Sequence, residues 1–61
     1  MKWTATATPD VFRAYTKNGD SLWITPIKGI IISRSRIVWE STEENTKEAV
    51  EAQAKKLGLI K

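Results

Sequence analysis

The sequence predicts an α+β fold in which an antiparallel sheet of three to four strands is covered on one face by a single C-terminal helix. Over the first part of the chain, side-chain types alternate with the two-residue period of a strand. Turn-forming dipeptides separate these segments. After residue 40 a helix-capping pattern precedes charged pairs at helical spacing. With 61 residues, the chain is expected to form a single small domain, 1–61.

The first strand is predicted at about 2–8, where Trp, Thr and Ala residues alternate strictly. Pro9-Asp10 then favours a turn, because proline presets φ and aspartate can bond its own backbone. The second and third strands are predicted at about 11–17 and about 20–25.

The loop between the second and third strands determines which side chains share a face. Asn18-Gly19 favours a two-residue type I′ turn, which requires positive φ at both positions. With that loop, Ala14 is opposite Trp23 and the side chains divide into two sets. The core face is predicted to carry Trp3, Ala5, Ala7, Phe12, Ala14 and Trp23. The open face is predicted to carry Lys2, Thr4, Thr6, Thr8, Arg13, Tyr15, Lys17, Leu22 and Ile24.

A fourth strand is predicted at 30–33, because three consecutive Ile residues suit a buried strand. Two alternatives remain open for 33–39: the strand continues to Trp39 with a bulge, or the segment is a loop.

The helix is predicted at about 42–57. Ser41 and Glu44 have the spacing of a capping box, in which each side chain bonds the backbone N–H of the other. Gly58 is a suitable residue to end the helix, because glycine readily adopts positive φ. Its stripe of small and apolar residues would cover the core face of the sheet.

Composition makes catalysis unexpected. The chain has no His and no Cys, which excludes disulfides, thiol nucleophiles, Ser-His-Asp triads and zinc sites built on those residues. Its three Gly match no phosphate-binding fingerprint. A protein that is not an enzyme and uses neither cofactor nor metal is therefore expected.

No apolar run approaches the roughly 18 residues of a membrane span, and no secretory leader is recognisable, so a cytoplasmic location without membrane contact is expected.

Positive charge is concentrated in the predicted sheet. Ten Lys and Arg against seven Asp and Glu give a net charge of +3. Up to residue 39, six basic and two acidic residues give +4, whereas five Glu and four Lys beyond it give −1. Basic side chains neutralise phosphates and an aromatic ring can stack on a base. The sequence therefore predicts a non-catalytic module that binds DNA or RNA through Lys2, Arg13, Tyr15, Lys17, Arg34 and Arg36. Arg34 and Arg36, two residues apart, would point the same way in a strand.

Two other interpretations stay open. A solvated strand face commonly contains Thr, Lys and Arg without any ligand. Alternatively, the protein is an interaction module, such as a small inhibitor or adaptor, that binds a protein partner or a second copy of itself. It would then use an exposed apolar patch at Leu22, Ile24 and Ile31, or strand addition at a sheet edge.

Overall fold

Residues 1–60, which the computed structural model describes, form an antiparallel sheet and a C-terminal helix. The elements are β1 (Thr4–Ala5), β2 (Phe12–Tyr15), β3 (Ser21–Ile24), β4 (Gly29–Ser33), β5 (Arg36–Ser41) and α1 (Lys47–Lys56). The strands lie side by side in chain order, and each is antiparallel to its neighbours. The predicted α+β class is confirmed. The sheet of the described residues has five strands, however, rather than three or four.

The additional strand arises because the chain reverses within the predicted fourth strand. β4 and β5 form a hairpin whose two loop residues, Arg34 and Ser35, have φ of 53° and 64°. Positive φ at both positions is typical of a type I′ turn, whose twist matches that of the flanking strands. Residues 33–39 are therefore the tip and second strand of a hairpin, rather than one bulged strand or a loop.

The predicted two-residue loop at Asn18-Gly19 is wrong. The Thr16 N–H donates to the Asp20 carbonyl at 2.9 Å, and the Gly19 N–H donates to the Thr16 carbonyl at 3.1 Å. Gly19 has φ of 88°. This is a three-residue loop that ends in a left-handed glycine, the next most common hairpin connection. One more loop residue moves the register of β3 by one position, so Ala14 is opposite Leu22 instead of Trp23.

The shift in register exchanges the two faces of β3. Leu22 and Ile24 point toward the helix and are buried, and Ile31 pairs with Leu22 on the same side. The predicted exposure of Leu22, Ile24 and Ile31 as an apolar interaction patch is therefore wrong, because all three belong to the core. Trp23 moves in the opposite direction, to the face away from the helix, beside Arg13.

The core lies between the sheet and α1. Its buried apolar residues are Ala14, Leu22, Ile24, Ile31, Val50 and Ala54, and Trp3, Trp39, Leu59 and Ile60 pack against them. The face of the sheet that contacts α1 is called the inner face below. Gly29 lies on this face at the closest approach of β4 to the backbone carbonyl of Glu44 and the side chain of Val50.

The helix begins later than predicted. Its N-cap is Thr46, whose hydroxyl accepts from the Ala49 N–H at 3.2 Å. Ser41 instead accepts from the N–H groups of Glu43 and Glu44, both at 3.2 Å, and so organises the turn that leaves β5. The predicted capping box is therefore wrong.

The predicted end of the helix at Gly58 is confirmed. Gly58 has φ of 77°, and its N–H donates to the Lys55 carbonyl at 3.0 Å. The Leu59 N–H donates to the Ala54 carbonyl at 2.9 Å, which completes a Schellman motif. This cap turns the chain so that Leu59 and Ile60 pack against the core.

A buried carboxylate joins the two hairpins. The hydroxyl of Ser33 donates to Asp20 Oδ1 at 2.7 Å, and the hydroxyl of Thr16 donates to Asp20 Oδ2 at 3.3 Å. The Asp20 N–H in turn donates to the Thr16 hydroxyl at 3.0 Å. Because these side chains belong to different hairpins, the network holds the loop at 17–19 beside the loop at Arg34 and Ser35.

Candidate nucleic-acid interface

The face of the sheet opposite α1, called the outer face below, is not covered by any element within residues 1–60. Strand alternation and the observed pairings assign it Thr4, Arg13, Tyr15, Ser21, Trp23, Ile30, Ile32, Ile37 and Glu40. It is therefore a mixed surface, with a cation and two aromatic rings on β2 and β3 and aliphatic side chains on β4 and β5.

Arg13 is at the centre of the aromatic half. Tyr15 lies two residues along β2 on the same face, and Trp23 is directly opposite on β3. The guanidinium carbon of Arg13 is 5.0 Å from the centroid of the Tyr15 ring and 5.4 Å from that of Trp23. Both distances lie within the range of a cation–π contact. The three side chains thus form one cluster, called the aromatic cluster below.

Hydrogen bonding and burial fix the base of the aromatic cluster and leave its surface open. The indole N–H of Trp23 donates to the Ser21 hydroxyl at 2.9 Å, which orients the ring. Arg13 is half-buried, and its buried Nε has no hydrogen-bond partner within residues 1–60. Tyr15 is 57% exposed. The Tyr15 ring therefore keeps free surface next to a cation.

Six basic residues collect at one end of the molecule, called the basic end below: Lys2, Lys17, Arg34, Arg36, Lys55 and Lys56. Alternate loops of an antiparallel meander lie at the same end of the sheet, so the loops at 17–19 and at Arg34 and Ser35 are neighbours. The C-terminal end of α1 is there too, because Gly58 and Leu59 line a shallow depression together with Asn18 and Arg34.

Lys2 and Lys17 connect the basic end to the aromatic cluster. They line a second depression together with Tyr15, Lys55 and Glu51, whose carboxylate is the one acidic group among the described residues of that lining. Lys2 precedes β1, and Lys17 is the first residue of the loop at 17–19. Contrary to the prediction, neither residue lies on a strand. Their ammonium groups nevertheless belong to the surface that Tyr15 borders.

Arg34 and Arg36 are arranged differently from the prediction. The predicted strand geometry is wrong for this pair, because Arg34 lies in the turn and Arg36 is the first residue of β5, opposite Ser33. Both side chains are exposed. Arg34 and Arg36 lie on one side of the loop at 17–19, and Lys2 lies on the other.

The opposite end of the sheet is more nearly balanced in charge. Lys28 forms an ion pair with Glu40 at 3.3 Å. The ammonium of Lys47 lies 5.3 Å from the centroid of the Phe12 ring. Glu43, Glu44 and Glu48 add negative charge near the start of α1. The positive potential is therefore directed toward the basic end.

Two parts of the candidate site were not predicted. The two-residue loop predicted at Asn18-Gly19 places Trp23 in the core, whereas the observed three-residue loop moves it to the outer face. Lys55 is not among the predicted site residues. Its contribution to the basic end follows from the direction in which α1 crosses the sheet, which the helical periodicity does not specify.

The described part of the chain contains no group of three or more Asp and Glu side chains arranged to hold a metal ion. Within residues 1–60, α1 is too short and too polar to cross a bilayer.

Comparison with protein-family models finds no family that matches this chain, and searches of curated proteins and of solved structures find no similar sequence or fold.

Proposed function

We propose that the protein is a non-catalytic module that binds nucleic acid through the outer face and the basic end. One observation carries this proposal: an uncovered sheet face holds Arg13 between two aromatic rings, and the more exposed of these rings borders a cluster of lysines. Phosphates attract the lysines and arginines. Bases stack on aromatic and guanidinium planes. This surface offers both contacts side by side.

Protein binding is the second candidate function. It is favoured by Ile37 and Val38 on β5, which are 58% and 45% exposed. Strand addition has less support, because β1 has two residues and a register shift leaves Val38 as a bulge in β5. Short and bulged edge strands resist pairing with another chain. A protein partner would therefore use the side chains of Ile37 and Val38 rather than the strand edge.

Salt dependence tests the nucleic-acid proposal. Fluorescence anisotropy with a labelled mixed-sequence oligonucleotide should show binding at about 50 mM salt. The logarithm of the association constant should then fall linearly with the logarithm of the salt concentration. The double variant Lys17→Gln, Arg34→Gln should bind more weakly, with a slope shallower by about 1.5, because each lost phosphate contact removes about 0.7 of a unit for a single strand and about 0.9 for a duplex.

A charge-matched double variant is the control. Lys28→Gln with Lys47→Gln lowers the net charge by the same amount but acts at the opposite end of the sheet. It should keep the slope of the unmodified protein. Equal losses in both double variants would mean that only net charge matters, and the basic end would not be the contact surface. No binding at about 50 mM salt would favour the protein-binding candidate.

A further inference from the structure

The width of the sheet limits which nucleic acids can reach the aromatic cluster. Neighbouring strands are about 4.8 Å apart, so five strands extend about 19 Å from β1 to β5. The major groove of B-DNA is about 12 Å wide and admits a helix or a two-stranded ribbon. The outer face as a whole is broader than the major groove, so it cannot enter that groove as a two-stranded ribbon does.

The position of the rings within the sheet strengthens this limit. Tyr15 and Trp23 are on β2 and β3, which are interior strands of the five. A duplex resting on the outer face would present its phosphates to these rings and keep its bases paired and stacked. A single strand can instead lie along the face and turn unpaired bases toward the rings.

The electrostatic layout provides a path for the backbone of such a strand. Lys2 and Lys17 border Tyr15 at one end of the aromatic cluster, and Arg34 lies beyond them across the loop at 17–19. Arg13 places a positive charge between the two rings. Phosphates that follow the basic end would thus leave their bases within reach of Tyr15 and Trp23.

From this geometry we infer that the ligand of the outer face is single-stranded nucleic acid, with unpaired bases stacked on Tyr15 and Trp23. The inference rests on the proposed function and narrows it to one class of ligand. Stacking does not depend on base identity, so the binding has little sequence preference. Stacking on a ring does not involve the 2′-hydroxyl, so single-stranded DNA and single-stranded RNA both belong to this class of ligand.

The test compares single and double strands of equal length. Oligothymidine and oligouridine of about ten nucleotides, and a mixed-sequence duplex of the same length, are titrated at one low salt concentration. Each single strand is expected to bind at least about tenfold more tightly than the duplex. Tyr15→Ala is expected to weaken binding of oligothymidine at least about fivefold, whereas Tyr15→Phe keeps it, because the ring and not the hydroxyl makes the contact.

Tyr15 is the informative position because it is 57% exposed, so its truncation leaves the core intact. Ile27→Ala is the matched control, since it shortens a side chain that is 71% exposed in the loop between β3 and β4, at the end of the sheet opposite the basic end, and should leave oligothymidine binding unchanged. Circular dichroism should show the same fold for all three variants.

The outcomes separate the two proposals. Duplex binding as tight as single-strand binding would overturn this inference and leave nucleic-acid binding standing. It would indicate that the loops at the basic end enter a groove. Single-strand binding that Tyr15→Ala does not weaken would also overturn it. Failure to bind any of the three probes would overturn the proposed function together with the inference.

Discussion

Leu22→Lys is expected to leave the protein unfolded at room temperature. Leu22 is fully buried on β3, between Ala14 and Ile31 in the sheet, and it belongs to the same core as Val50 of α1. Truncation of a buried leucine to alanine costs about 2–5 kcal/mol, and lysine adds an unpaired charge in an apolar site. A domain of this size without disulfide or metal has about 3–5 kcal/mol of stability in total. Far-UV circular dichroism and thermal unfolding measure the loss.

The matched control places the same lysine on the outer face. Ile37 is 58% exposed on β5, so Ile37→Lys should change the free energy of unfolding by less than about 1 kcal/mol. If Leu22→Lys instead folds as well as Ile37→Lys, then Leu22 is not in the core. The hairpin would then have the two-residue loop, and Trp23 would return to the inner face.

Gly29→Ala is expected to destabilise the protein by about 2–3 kcal/mol or more. An added Cβ would lie 2.5 Å from the carbonyl oxygen of Glu44 and 2.8 Å from Cγ2 of Val50. It would also lie 3.3 Å from Cζ3 of Trp39. The first contact is with backbone, which cannot rotate away, so β4 and the segment before α1 must separate. Overpacking in a core costs typically about 1–3 kcal/mol, and this methyl group meets three neighbours at once. Chemical denaturation measures the change.

Gly58→Ala is the comparison variant. Gly58 has positive φ, but an added Cβ would have open space around it. Only the backbone penalty applies, at about 1 kcal/mol. Gly29→Ala should therefore be clearly the more damaging of the two. A smaller loss at Gly29 than at Gly58 would contradict the close approach between β4 and the residues that precede α1.

The sequence predicts the class of the fold better than the register of its strands. Asn18-Gly19 identifies a hairpin, but this dipeptide fits a two-residue loop and a three-residue loop that ends in glycine. The apolar pattern does not choose between them, because Leu22, Trp23 and Ile24 are consecutive large apolar residues and either alternate set can fill a core. The choice depends on packing against Val50 and Ala54 of α1, which are distant in the chain.

Two further misses have similar causes. Arg34 and Ser35 form a turn with positive φ at both positions. Neither is Gly, Asn or Asp, the residues that favour positive φ, so local propensity does not predict the loop between β4 and β5. Ser41 has the spacing of a helix cap, yet Asn45 donates from Nδ2 to the Thr25 carbonyl at 3.1 Å. This bond holds the segment before Thr46 across the end of the sheet. Tertiary contacts of this kind outweigh a local capping pattern.

The sequence predicts only part of the candidate site, because the site depends on the register of β3. Arg13 and Tyr15 belong to β2, and their assignment to the face opposite the helix is borne out because Phe12 and Ala14, which alternate with them along the strand, face inward. Trp23 was missed because it lies on β3, where the register was wrong. The extent of the basic end depends on the number of strands and on the direction in which α1 crosses the sheet. Charge counts along the sequence specify neither, so they do not predict it.

The most direct test of the nucleic-acid interface is to map amide and indole chemical shifts of the isotope-labelled protein during titration with oligothymidine. The largest changes are expected on the outer face and at the basic end, at Arg13, Tyr15, Lys17, Trp23 with its indole N–H, and Arg34. Changes confined to α1, or to the end of the sheet that holds Lys28 and Glu40, would contradict this interface.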